Sequence, residues 1–372
     1  MTKNNLAGNG RLLSLDALRG FDMMFIMGLS GIIVSICSLF PDGDTSWLAM
    51  QMSHVKWEGF HHHDTIFALF LFISGMTFPF SSAKKLEKGL SKGDITREVL
   101  KRACILFFLG LVYQGFFHFH FATLRVMSVL GRIGIAWALA AIIYCYTGRK
   151  TQYSIAAGIL IGYFLLLKFT IAPDAPAGAD SMSKMGNISY YIDRIILGNH
   201  AYKPYGDPEG LVSTIPAIVT ALLGMFTGRY VKESDDSGEK KTLKLLGAAV
   251  ITGVAAALWS IWFPVIKNLW TSTFVLAAAS YSLAVFAIFY YIIDVKGWRK
   301  GVIFFQVVGM NSITIYLAQA FIDFQKIGDF FLSGVAELVP EVFGAVILRI
   351  GYFTAAWLML YFMYKKNVFL KV

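Results

Sequence analysis

The chain has 372 residues, of which 56% are hydrophobic and 15% are charged, and its mean hydropathy is +0.61. Soluble globular domains carry roughly 25% charged residues, so this composition excludes a soluble protein and predicts an integral membrane protein. The formal net charge of +10 fits basic connections between membrane spans and attraction to anionic lipid. Its distribution gives no indication of a nucleic-acid partner.

Ten apolar runs approach or exceed the roughly 20 residues that are needed to cross a bilayer. They lie at 18–40, 64–83, 100–117, 126–147, 153–172, 211–228, 245–264, 272–293, 301–322 and 343–364. Small residues in "GLSG" (28–31) and "ALLGMFTG" (221–228) would let helices approach closely. The sequence therefore predicts an all-α, polytopic membrane helix bundle of about ten transmembrane helices, which forms one domain over residues 1–372.

The basic residues predict the orientation of this bundle. If the N-terminus is cytoplasmic, 23 of the 33 Lys and Arg residues fall in the inner segments, as the positive-inside rule requires. We therefore expect both termini in the cytoplasm, the connections 41–63 and 173–210 outside, and 229–244 as a solvated inner linker. A connection as long as 173–210 usually carries function or is disordered.

Four of the seven histidines lie within residues 54–63, directly before the second apolar run. His61, His62 and His63 are consecutive, so on a helix they point about 100° apart and cannot converge on one metal ion. No metal site is predicted from them. A catalytic histidine needs an acid that orients it, and His54 with Asp64 offers such a pair. Asp64 is equally explained as a helix N-cap or as a buried partner for a cation.

Other polar residues are candidates for binding a substrate. Asp207 and Glu209, in "DPEG", suit a cationic or hydroxyl-rich acceptor, although a role in capping the loop is equally plausible. Arg125 and Arg132 are seven residues apart and therefore share a helical face, where they could supply positive charge inside the bundle. Asp16 and Arg19, three residues apart on the first span, predict a structural ion pair.

Several blocks of the sequence resemble one family of multi-pass membrane enzymes. "SLDALRG" (14–20), the pattern His54-x2-Trp57-x-Gly59-x4-Asp64 and "FLFISG" (70–75) are similar to the heparan-α-glucosaminide N-acetyltransferases. The resemblance continues in order through "LRVMSVLGRIG" (124–134), "DPEGLVSTIPAIVTALLGMFTGR" (207–229), "KNLWTSTFVL" (267–276), "DVKGW" (294–298) and "GMNSITIY" (309–316). It covers nearly the whole chain, without a counterpart of the large luminal domain of the animal enzymes.

The resemblance implies transmembrane acetyl transfer. Acetyl-CoA would be the cytoplasmic cosubstrate, and an amino sugar, such as the terminal glucosamine of heparan sulfate, would be acetylated on the outer side. By position the family's active-site histidine falls on His54, with Asp64 as its partner. A bacterial-type enzyme in the inner (plasma) membrane would present His54 to the periplasm. The residues leave open whether His54 is a general base or carries the acetyl group, and whether the chain forms a homodimer.

Further site residues follow from the same resemblance. Trp57, which belongs to the matched pattern, is an aromatic residue on the outer side that could stack on a sugar face or could equally be an interfacial anchor. Ser30 stands where a compared family member has an asparagine, so Asn268 and Asn311 become candidates for an oxyanion-stabilising or substrate-binding amide.

Binding of CoA is constrained by its charge, because a nucleotide cannot enter hydrocarbon without a large desolvation cost. We expect the nucleotide at a basic inner mouth, with only the pantetheine arm reaching His54. Arg19, Lys101 and Arg102 are candidates for the phosphates, and Arg125 and Arg132 for other cofactor contacts. The inner residues are equally explained as positive-inside anchors.

Two other functions fit the residues. A transporter or flippase for a sugar-related solute would also use apolar helices with buried Arg and Asp, although the sequence has no obvious repeated halves. An O-acetyltransferase on the same scaffold would differ only in its acceptor.

Overall fold

The computed structural model describes residues 12–370 and shows them to be helical with short connections. The predicted cytoplasmic termini fall largely on 1–11 and 371–372, which lie outside the described residues. In the part that is described, β-type pairing is limited to two isolated bridges. The all-α prediction is therefore confirmed.

The helices are numbered in chain order within residues 12–370. They are α1 (Leu13–Met24), α2 (Ser30–Cys37), α3 (Trp47–Gln51), α4 (His62–Glu87), α5 (Lys92–Tyr113), α6 (Val129–Tyr146), α7 (Arg149–Phe169), α8 (Ile188–Leu197), α9 (Thr214–Glu233), α10 (Gly238–Ser260), α11 (Ser272–Phe289), α12 (Val302–Met310), α13 (Ser312–Phe321), α14 (Phe324–Ala336) and α15 (Glu341–Lys365). A π-helical turn, Phe25–Leu29, joins α1 to α2, and another, Tyr290–Val295, extends α11.

Eight of the described helical segments are long and apolar enough to cross a membrane, and the pair α12–α13, bent by 66°, raises the number to nine. The estimate of about ten is corrected at run 100–117, which belongs to α5. The first half of α5 carries charged residues at 92, 94, 97, 98, 101 and 102, so its uninterrupted apolar part is short. The protein is nonetheless a multi-pass membrane helix bundle.

The centre of the bundle is the pair α4 and α9, which bury most of their length. Their backbones are in direct contact: a Cβ atom added to Gly224 would lie 2.1 Å from the carbonyl oxygen of Phe72, and one on Gly228 would lie 2.2 Å from that of Met76. The small residues of "ALLGMFTG" therefore serve the close packing that the sequence predicts. This contact fixes the position of α4, which carries the candidate site at its first turn.

The long connection 173–210 is ordered and contains α8. An antiparallel bridge joins Ile171 to Asn187, and Asn187 caps α8 by accepting a hydrogen bond from the Tyr190 amide at 2.8 Å. The expected linker 229–244 is instead largely helical, because α9 continues to Glu233 and α10 begins at Gly238. Its non-helical part is reduced to 234–237.

The two ends of the bundle differ in charge. Connections 41–61 and 173–210 lie at one end, which we call the loop end. At the opposite end, which we call the basic end, Lys84 and Lys232 share a cavity with Leu12 and Leu370. Both ends of the described chain therefore lie on the same side of the bundle, opposite the long loops, as the predicted topology requires.

Which end faces the cytoplasm can be tested by cysteine labelling. In a variant that lacks Cys37, Cys104 and Cys145, we expect a membrane-impermeant maleimide to label Ala177→Cys in intact cells and to spare Ser237→Cys until the membrane is permeabilised. Both positions are exposed, and the reason is the positive-inside bias. Labelling of Ser237→Cys alone in intact cells would invert the orientation and contradict an outer location for His54.

Candidate active site

His54 and Asp64 meet at the loop end of α4. Asp64 lies in the first turn of α4 and is 0% exposed. Its Oδ1 is 2.8 Å from Nδ1 of His54, while its Oδ2 accepts hydrogen bonds from the amides of His61 (3.1 Å) and Val55 (3.4 Å). A carboxylate is favoured at a helix N-terminus. The N-cap prediction for Asp64 is therefore wrong in position: His61 is the N-cap residue, and Asp64, at the third helical position, reaches back to the His61 amide while it also contacts His54.

Lys267 completes this pair from the other side. It lies in a 3₁₀ turn, Lys267–Leu269, just before α11. Its Nζ is 3.0 Å from Nδ1 and 3.3 Å from Nε2 of His54, and 3.6 Å from Oδ1 of Asp64. Burial lowers the pKa of Lys267, although the charge of Asp64 opposes this effect. A desolvated cation thus lies against both nitrogens of the histidine.

The contact with Asp64 determines which nitrogen of His54 can react. An ionised carboxylate only accepts hydrogen bonds, so Nδ1 of His54 carries the proton that it donates to Asp64. The lone pair then resides on Nε2. The His54 side chain is 54% exposed and lines a chamber, so a substrate can approach the ring, as a nucleophile or general base requires.

His54 and Lys267 open onto an apolar chamber of about 190 Å³. The other polar side chains on its wall are His63, Glu209, Ser312 and Tyr316; the apolar ones are Met23, Ile26, Ile66, Phe67, Phe70, Val129, Leu130, Ile133 and Ile313. A chamber with a few convergent polar groups is typical of a small-molecule site.

A larger cavity, of about 1020 Å³, opens at the basic end. Its basic residues are Arg19, Lys84, Arg102, Lys232 and Lys241. The guanidinium of Arg102 lies 4.6 Å from the ring centre of Trp137, while its buried Nε has no hydrogen-bond partner among the described residues. A buried donor without a partner can bind an anionic ligand. The cavity is therefore chemically suited to phosphate.

The two cavities are neighbours inside the bundle, where Phe70, Ser312 and Ile313 line both of them. One face of α4 runs along both, through His63, Ile66, Phe67, Phe70, Ser74, Thr77, Ser81 and Lys84. A helix rises about 1.5 Å per residue, so this stripe extends roughly 30 Å, about the thickness of the hydrocarbon core. The His54 chamber thus lies directly beside the basic cavity, with Phe70, Ser312 and Ile313 between them.

Known proteins were compared with this chain. No family model matches it. The heparan-alpha-glucosaminide N-acetyltransferase of Homo sapiens is 24% identical over 421 aligned positions, and that of Mus musculus is 25% identical over 421. Each alignment covers 97% of this chain and 60% of the relative. This chain is similar to the heparan-alpha-glucosaminide N-acetyltransferases over nearly its whole length. It spans about 60% of their length.

Arg125 and Arg132 lie at the loop end, where both contact the segment 207–210. Arg125 donates to Asp207 from Nε (2.9 Å) and Nη2 (2.5 Å) and also pairs with Glu209. Burial alone would lower the pKa of Arg125, but Asp207 and Glu209 raise it above its ordinary value. Arg132 is fully buried and donates to the carbonyl oxygen of Pro208 at 2.7 Å. The two arginines hold the "DPEG" segment and do not line the basic cavity.

Of the residues predicted to bind a substrate, some line the chamber and others lie outside it. Glu209 reaches the chamber, whereas Asp207 is fully buried on Arg125. Trp57 donates its indole N–H to the carbonyl oxygen of Met182 at 3.0 Å and so ties the two outer loops together. Asn311, at the break between α12 and α13, donates to the carbonyl oxygen of Val368 at 3.3 Å.

The remaining candidates are only partly brought to the site. Asn268 follows Lys267 but does not line the chamber. At the basic end, Arg19 and Arg102 line the cavity and Lys101 does not. The predicted ion pair between Asp16 and Arg19 forms, at 3.7 Å. Within residues 12–370 no group of three or more His, Cys, Asp or Glu side chains is arranged to hold a metal ion.

Sequence reasoning missed Lys267 and His63 as site residues. Lys267 stood in the block "KNLWTSTFVL", and His63 stood in the histidine run, so both had a signal. The sequence did not indicate that Lys267 contacts His54, because the two residues are 213 positions apart in the chain. It also did not indicate which histidine of the run 61–63 would line the chamber with His54.

Proposed function

We propose that this chain is a transmembrane N-acetyltransferase, which moves an acetyl group from cytoplasmic acetyl-CoA to the amine of an amino sugar on the outer side. A non-reducing terminal glucosamine is the favoured acceptor, and the bacterial inner membrane is the favoured location. The relationship to the heparan-alpha-glucosaminide N-acetyltransferases supports the reaction class. The observation that carries the proposal is that the basic cavity adjoins the chamber onto which His54 and Lys267 open.

The donor enters from the basic end. Arg19, Lys84, Arg102, Lys232 and Lys241 bind the phosphates of CoA, whose charges cannot enter hydrocarbon without a large desolvation cost. The thin, nearly uncharged pantetheine arm follows the stripe on α4 past Phe70 into the chamber. The thioester thereby reaches Nε2 of His54 while the nucleotide remains at the basic end.

Chemistry takes place at Nε2 of His54. This nitrogen either removes a proton from the amine as the C–N bond forms, or first accepts the acetyl group, forming an acetyl-imidazole that the amine then attacks. In both routes the thioester C–S bond breaks, and CoA leaves as a thiolate that takes up the proton lost by the amine. Asp64 holds the ring and stabilises its cation in both routes. The ammonium of Lys267, 3.3 Å from Nε2, is placed to stabilise the negative charge that develops on the carbonyl oxygen.

The acceptor approaches from the loop end. Glu209 lines the chamber, where its carboxylate attracts the ammonium form of an amino sugar. Asp207 positions Glu209, because its Oδ1 accepts the Glu209 amide at 2.9 Å and both carboxylates share Arg125. Trp57, half-buried between the outer loops, offers an aromatic surface to a sugar ring.

Purified protein tests the reaction directly. With acetyl-CoA and glucosamine, or a glucosamine-terminated oligosaccharide, we expect stoichiometric free CoA and an N-acetylated product, detected by mass. The matched control is the His54→Ala protein, purified in the same way. Transfer only to acceptors that bear hydroxyl groups would make the protein an O-acetyltransferase. Solute uptake into proteoliposomes without release of CoA would instead identify a transporter.

A further inference from the structure

The three consecutive histidines have three separate environments. Nδ1 of His61 lies 3.0 Å from the carbonyl oxygen of Ser53, outside the chamber. The ring of His62 packs on Phe25, with ring centres 4.3 Å apart. The ring of His63 lines the chamber, and its centre lies 4.5 Å from that of His54. Only His63 of this run shares the space that the thioester must enter.

Ser30 holds the ring of His63 in one orientation. Its hydroxyl oxygen is 3.2 Å from Nδ1 of His63, and Ser30 is itself buried at the start of α2. When the hydroxyl donates to Nδ1, the proton of a neutral imidazole resides on Nε2. In this tautomer His63 presents Nε2–H to the chamber.

The surroundings of His63 favour a neutral ring. Its ionisable neighbours are His54, Lys267, Asp64 and His62. Asp64 already accepts a hydrogen bond from His54 and lies 3.6 Å from Lys267, so the ammonium of Lys267 compensates its negative charge. A second cation beside Lys267 and the apolar chamber wall would be repelled and poorly solvated. A neutral imidazole can still donate a strong hydrogen bond to a polarised carbonyl group.

We propose that His63 is a catalytic residue that donates Nε2–H to the carbonyl oxygen of the bound thioester, and that Ser30 is its positioning residue. This inference rests on the proposed acetyl transfer. The carbonyl oxygen lies between two donors, Lys267 and His63, and the acetyl carbon faces Nε2 of His54. His63 neither gains nor loses a proton during the reaction. The donor role expected for Asn268 or Asn311 is thus carried by an imidazole, since neither amide lines the chamber.

Kinetics of matched variants test this role. We expect His63→Leu to lower kcat by about 10²–10³-fold, the usual loss for one oxyanion donor, with the KM for acetyl-CoA within twofold. His63→Gln keeps an N–H donor near the position of Nε2 and should restore kcat to within about tenfold of the wild type. The kcat of Ser30→Ala should lie between those of His63→Leu and His63→Gln. His61→Leu, in the same run, should match the wild type.

The pH profile separates a neutral donor from a proton-transfer group. The profiles of the wild type and of His63→Gln should have the same limbs, because the donor does not titrate in the working range. If His63 were a general base, His63→Gln would lose one limb and would be as slow as His63→Leu. That result would overturn the inference.

Infrared spectroscopy gives an independent measurement. With acetyl-CoA labelled by ¹³C at the carbonyl carbon, bound to the non-transferring His54→Ala protein, we expect a lower carbonyl stretching frequency than with His54→Ala/His63→Leu. Equal frequencies would show that His63 does not contact the carbonyl group. If the wild type transfers acetyl groups but His63→Leu behaves like His61→Leu, the inference alone fails. If the wild type never releases CoA, the proposed function fails with it.

Discussion

His54→Ala is expected to reduce acetyl transfer by roughly 10³-fold or more, because a positioned imidazole alone contributes about 10²–10⁴-fold as an acid–base catalyst. The variant also loses the nucleophile if the reaction proceeds through an acetyl-imidazole. The bundle should remain folded, since the side chain is 54% exposed and packs little surface. Release of CoA, formation of the acetylated product and thermal unfolding of the purified protein measure these effects.

The matched control for this prediction is His61→Ala, seven residues along the chain. His61 lies outside the chamber, so its loss should leave most of the activity. His62→Ala is a poorer control, because His62 packs on Phe25 inside the bundle. If His54→Ala kept its activity while His61→Ala lost it, the assignment of the active-site histidine would be wrong.

Much of the fold could be predicted from hydropathy alone, because a backbone in hydrocarbon must form helices to satisfy its hydrogen bonds. The run at 64–83 became α4, and the run at 211–228 became α9. The predicted spans were wrong where the ends of an apolar run do not coincide with the ends of a helix. Charged residues at 92–102 are helical in α5 because a helix can continue past the membrane boundary. The bend at Asn311 leaves no mark in the hydropathy of run 301–322.

The candidate site could be predicted only where its residues are close in the chain. His54 and Asp64 are ten residues apart, and a loop that enters a helix brings them together. Lys267 and Glu209 reach the same chamber from the connections before α11 and α9, and only tertiary packing places them there. Arg125 and Arg132 show the opposite problem. The predicted shared helical face is wrong, because Arg125 precedes α6, which begins at Val129. Arg125 instead binds Asp207, and Arg132 donates from Nη2 to the carbonyl oxygen of Pro208, so both hold the "DPEG" segment.

Lys267→Met is expected to lower kcat by about 10²–10³-fold, because it removes a desolvated positive charge from the place where the carbonyl oxygen becomes negative. Methionine fills a similar volume, so the chamber should keep its shape. Lys267→Arg keeps the charge in a larger, planar group and should retain part of the activity. Initial rates at saturating acetyl-CoA, with thermal unfolding as a check on folding, measure both variants.

The pH dependence of these variants tests whether Lys267 acts as a cation. Burial lowers the pKa of Lys267 below its ordinary value, so the ammonium loses its proton at a lower pH than an exposed lysine does. Activity that needs this charge should therefore fall as pH rises through the lowered pKa. In Lys267→Arg the guanidinium stays protonated, so this alkaline limb should move to higher pH. If the wild type instead became faster as Lys267 lost its proton and Lys267→Arg were inactive, Lys267 would be a general base, and the carbonyl oxygen would need another source of positive charge.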